Sequence, residues 1–199
     1  MENNEKLSAE RSLKIISEAI EQNRNEIMRN AGMPMIFWGI LTCVTAVVVW
    51  FLWQTTGNAS WNALWFAMAV IGWFVMAVKS RKYKKKPSNF FSRVLMLSWI
   101  SFGLFALVTA VIGTLSLDST VYTVKLPITT VLILLLGLTG LITGLVLRHT
   151  AITTFSVASV VPANFALIYP GPYESLALCL TALFLLVIPG IIINRQFKK

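Results

Sequence analysis

Long uncharged apolar windows alternate along this chain with short polar islands, and the spacing of the two predicts its architecture. Six windows of roughly 20 residues have no Asp, Glu, Lys or Arg in their interiors. That is the length at which a helix rising ~1.5 Å per residue crosses a ~30 Å hydrocarbon core. They fall at residues 34–53, 61–78, 94–115, 127–147, 150–168 and 173–193. Ahead of them, residues 8–31 carry the pattern of a water-exposed helix. Leu13, Ile16, Ile20 and Ile27 recur at spacings of three, four and seven and fall on one stripe. Ser8 suits the N-cap and Glu10 the first turn, where the positive end of the helix dipole favours an acid. Gly32 suits the residue just past a helix end, and Pro34 the opening turn of the next helix. The expected fold is all-α: a cytoplasmic amphipathic helix over residues 1–32, a short break, and a six-helix transmembrane domain over residues 33–199.

Only Arg148 and His149 separate the fourth and fifth windows. A single crossing over residues 127–168 would be too long. It would also hold an arginine at the bilayer centre, at a cost of ~2.5 kcal/mol or more. A tight helical hairpin avoids both, and six spans are expected.

Charge sets the expected orientation. Of the 17 Lys and Arg residues, 16 lie in the N-terminal segment, residues 79–93, the Arg148–His149 turn and the C-terminal tail; the opposite loops hold only Lys125. Cytoplasmic loops carry such an excess, so both termini are expected inside. Trp50, Trp53, Trp61, Trp65, Tyr122, Tyr169 and Tyr173 flank the other loops, at the headgroup depth that amphipathic rings favour. Composition agrees: 13% of residues are charged, about half the share of a soluble domain. The first 33 residues are too polar for a cleaved signal segment, so the first window is expected to remain as an anchor. The expected location is a bacterial cytoplasmic (inner) membrane.

Four groups of residues are candidates for function. Residues 2–29 carry five basic and six acidic side chains, a balance unlike the basic face of a membrane-surface helix. The stripe of Leu13, Ile16, Ile20 and Ile27 is therefore expected to dock on protein: this chain's own loops, a cytoplasmic or membrane partner, or a second copy. Lys79, Arg81, Lys82, Lys84, Lys85 and Lys86 form a basic cluster suited to a positive-inside anchor or to anionic lipid headgroups. No nucleic-acid-binding pattern accompanies it, and no nucleic acid is expected. Gly137, Gly140 and Gly144 put small residues on one face of the fourth span, the means by which helix backbones approach closely in lipid. That face is suited to intramolecular packing or to a homodimer seam. In the fifth span His149, Thr153, Ser156 and Asn164 lie within about 80° on a helical wheel, so they are candidates to line a cavity or to bond neighbouring helices.

Several classes lose support. The span interiors lack the carboxylate relay of cation-coupled transport. One histidine cannot found a multi-histidine metal site, and the signature motifs of zinc hydrolases, P-loop proteins and serine hydrolases are missing. No catalytic, cofactor or metal residue is assigned. In size and span count the chain is similar to the substrate-binding membrane subunits of energy-coupling-factor vitamin transporters, an analogy of architecture only. The first span departs from that family in lacking its Ala-x-x-x-Ala pattern, and the long N-terminal helix departs as well. The leading expectation is a non-enzymatic multi-pass membrane protein, acting as an adaptor, regulator or accessory subunit through its N-terminal helix. The alternative is a small-molecule or ion transporter or a substrate-binding subunit.

Overall fold

The computed structural model describes residues 2–81, 90–116 and 127–197, and among them every regular element is helical. Helix α1 runs from Glu2 to Thr56, and a 3₁₀ turn over Ala59–Ala63 leads into α2 (Leu64–Arg81). Then come α3 (Phe90–Ser116), α4 (Ile128–Leu147), α5 (Thr150–Ala158) and α6 (Val160–Ile168). The chain closes with α7 (Tyr173–Ala182), a π-helical turn over Leu183–Val187, and α8 (Ile188–Gln196). Six helical stretches are long and apolar enough to cross a membrane, and all six expected windows fall within them or within two residues of their ends.

The expected break at Gly32–Pro34 is absent. Helix α1 is continuous for 55 residues, with Pro34 inside it. Ser8 lies inside the helix, which begins upstream at Glu2, so it is not the N-cap residue. Gly32 would end a helix by adopting a positive φ, but the glycines with positive φ are Gly57 and Gly171. Gly32 serves instead as a small contact. A Cβ there would stand 3.0 Å from the Gly190 carbonyl oxygen, and a Cβ on Gly190 would stand 3.0 Å from the Gly32 oxygen. The two helices cross where neither has a side chain.

From that crossing α1 runs antiparallel to the last span. Gly39 faces Leu186 and Val187, and the Cys43 thiol donates to the Cys179 carbonyl at 3.4 Å. One buried cluster, with Met28, Met35, Leu95, Leu147, Ile152, Leu186 and Ile193, holds one end of the bundle. A second, of Ile133, Ala163, Ala166, Ala177 and Leu178 with Trp65 against it, holds the other. Helices α2 and α3 lie outside: only 6% of each is buried, against 50% for α4 and for the last span. Helix α2 reaches α1 where Gly72 takes the ring of Trp38.

Prolines account for the two irregular turns. Pro162 has no N–H to give, and the helical bonding of the fifth span breaks one turn before it, at Ser159. Ahead of Pro189, the Ile188 N–H reaches back five residues to Leu183, forming the wide π turn.

Candidate functional site

The projecting arm of α1 has the least internal contact. From Arg11 to Gln22 every side chain is exposed. Leu13, Ile16 and Ile20 are 68%, 56% and 43% exposed, so among the described residues nothing covers three of the four stripe residues. Ile27 is placed differently. It is half-buried and packs, with Phe197, against the cluster that contains Met28 and Ile193. The stripe therefore divides into a free part and an anchored part.

Local bonds support the arm. Ser17 Oγ donates to the Lys14 carbonyl at 2.8 Å, and Asn30 Nδ2 to the Glu26 carbonyl at 2.9 Å. Arg24 pairs with Glu21 one turn away. The Arg24 side chain is only 16% exposed, and its buried Nε has no hydrogen-bond partner. Sequence reasoning gave Arg24 no role. Its one visible signal was a position on the stripe side of the wheel, between Ile20 and Ile27.

The small-residue face of α4 and the polar face of the fifth span meet each other. A Cβ on Gly137 would collide with Ser159 Oγ and stand 3.2 Å from the Ser156 carbonyl; one on Gly140 would lie 2.6 Å from Ser156 Oγ, and one on Gly144 2.5 Å from Thr153 Oγ1. Thr130 adds a bond between helices, its hydroxyl donating to the Ala163 carbonyl at 3.3 Å. Most of the polar groups are taken up locally. Ser156 Oγ donates to the Ile152 carbonyl, Thr153 Oγ1 to that of His149, and Asn164 Nδ2 to that of Val160. Asn164 is exposed on α6 whereas Ser156 is buried under α4, so the structure does not bring the four residues around one space. Glu174, the second residue of the sixth span, is the carboxylate nearest a span interior. Its Oε1 accepts the Gly171 N–H at 3.0 Å and tightens the turn into α7.

His149 and Arg148 form the α4–α5 turn. Arg148 takes the left-handed conformation, φ 50°, and donates to the Leu145 carbonyl while His149 donates to that of Gly144. These are the paired bonds of a Schellman helix end. His149 then caps α5, its Nδ1 accepting the Ile152 N–H at 3.4 Å. Burial pushes the imidazole pKa down from its ordinary value, and a backbone bond offsets part of that. Within the basic cluster, Lys79 is exposed near the end of α2. The Arg81 side chain and Lys82, Lys84, Lys85 and Lys86 lie outside the described residues.

Comparison with protein-family models, with curated proteins and with solved structures finds no match for this chain.

Proposed function

We propose that this protein is a non-enzymatic integral membrane adaptor or accessory subunit that holds a partner on the projecting arm of α1. One observation carries the reading: Leu13, Ile16 and Ile20 form an apolar stripe, exposed on a helix that is continuous with a membrane span. Large apolar side chains standing in water favour burial by roughly 1.5–3 kcal/mol each, and grouped exposure of this kind is a mark of interaction surfaces. The near-balanced charge of residues 2–29 favours a protein over a lipid surface. Both termini, on this reading, face the cytoplasm of a bacterial cell.

The test is isolation from native membranes in mild detergent, comparing the full-length protein with an Ile16→Asp/Ile20→Asp variant. A stoichiometric partner that is lost in the variant, while insertion is unchanged, supports the reading. Retention of every partner by the variant ends it.

A further inference from the structure

We propose that Cys43 and Cys179 form a redox pair within the membrane, giving up two hydrogen atoms to lipid peroxyl radicals and closing a disulfide between α1 and α7. The proposal goes beyond the docking role and uses no part of the arm.

The pairing itself is the first ground. The chain holds two cysteines among 199 residues, one in the first membrane span and one in the last. They stand 136 positions apart, yet the fold brings them together. The Cys43 thiol donates to the Cys179 carbonyl at 3.4 Å, and the two side chains also interact directly. A packed side chain touches about 6–12 others, so a second cysteine placed without regard to the first would be its neighbour roughly one time in twenty. Both thiols are free.

The approach of the two backbones is the second. Gly39 stands one turn before Cys43 on the same side of α1, and a Cβ there would lie 2.6 Å from Val187 Cγ2. Small residues of this kind let α1 and the last span come close in lipid. A cysteine side chain is short, so its sulfur touches the facing main chain only where the backbones are near one another. A disulfide sets the same condition, with a Cα–Cα separation of about 4.4–6.8 Å.

Depth in the membrane selects the chemistry. Cys43 falls near the middle of the first apolar window. Both cysteines are half-buried, and Val44, Val47 and Leu180 beside them are exposed, so the seam borders the lipid. A thiolate there would be a charge in hydrocarbon, which disfavours any route that begins with ionisation. Hydrogen-atom transfer creates no charge. Each S–H bond breaks toward one lipid peroxyl radical, which becomes a hydroperoxide. The two sulfur-centred electrons then pair as the S–S bond. Two thiols and two peroxyl radicals thus give one disulfide and two hydroperoxides. A solitary thiol would remain as a thiyl radical able to attack the next acyl chain, and the second cysteine removes that hazard.

The test uses the full-length protein in proteoliposomes of polyunsaturated phosphatidylcholine, with a lipid-soluble azo initiator as the radical source. Alkylation with N-ethylmaleimide and peptide mass spectrometry read the state of each cysteine. The expected result is a disulfide between 43 and 179 within one chain, formed with initiator and not without it, and reversed by a phosphine. A Cys43→Ser/Val44→Cys variant keeps two thiols at similar depth but moves one off the seam, and it should lose the link. Thiols still free after the lipid has oxidised would overturn the proposal. So would sulfonic acid without the link, disulfides between chains, or an equal yield in the variant. The wild-type result decides the matter even where the variant fails to insert.

Discussion

Gly137 and Gly103 are chemically identical and sit in opposite circumstances. A Cβ on Gly137 meets Ser159 and Ser156, whereas one on Gly103 meets nothing within 4 Å. Gly137→Ala should lower stability in detergent by about 1–3 kcal/mol, the usual cost of overfilling a packed contact. Gly103→Ala should be neutral or stabilising by up to ~1 kcal/mol. Thermal unfolding followed by size-exclusion recovery separates the two, and equal losses would contradict the α4–α5 contact. His149 gives a second prediction. Its neutral ring caps α5 beside the cation of Arg148, and its folded pKa lies below the ordinary 6.5. The stability it lends is complete above that unfolded value and is lost as the pH falls through the depressed folded one. The unfolding midpoint should therefore drop as the pH falls below the ordinary imidazole value of 6.5. His149→Asn, which keeps a capping side chain, should flatten that slope.

At the scale of elements, the arm and the anchored part of α1 should respond differently to the same substitution. Ile16→Asp and Ile20→Asp place charge where water already is, and stability should change by less than ~0.5 kcal/mol. Ile27→Asp forces a carboxylate against the Met28–Ile193 cluster, so a loss of the order of 2 kcal/mol is expected. Circular dichroism melts of the single variants test this, and similar losses at all three positions would mean that the arm is buried. The spans were legible because charges are excluded from them, a rule that ignores tertiary detail. The continuity of α1 was not legible. Gly32 and Pro34 carry the local signs of a boundary, but the crossing with Gly190 uses the glycine for its size rather than its backbone freedom. A sequence window cannot distinguish those two uses. The meeting of Gly137, Gly140 and Gly144 with Ser156 and Thr153 was half legible: each stripe could be seen, and their apposition followed only from the two-residue hairpin.

For the whole molecule, small differences in hydropathy accompany large differences in burial. The α3 span has a mean hydropathy of 2.2 and is 6% buried, while α4 has 2.5 and is 50% buried. Lipid and protein interior are similarly apolar, so packing in the membrane follows small and shape-matched residues rather than hydrophobicity. Orientation remains a reading of charge and has a direct test. In a background with Cys43 and Cys179 replaced by serine, a membrane-impermeant maleimide should label Asn58→Cys in intact cells. It should reach Ser12→Cys only after permeabilisation; the reverse pattern would invert the topology. One consequence of an unbroken first helix is mechanical. About 45 Å of rod stands on one side of the Gly32–Gly190 crossing and about 36 Å on the other, which makes α1 a lever with its fulcrum at that crossing. A break in the helix at Gly32–Pro34 would have let the outer end swing without effect. Without one, a sideways pull on the outer end becomes a tilt of the first span, passed to α8 where the two backbones touch.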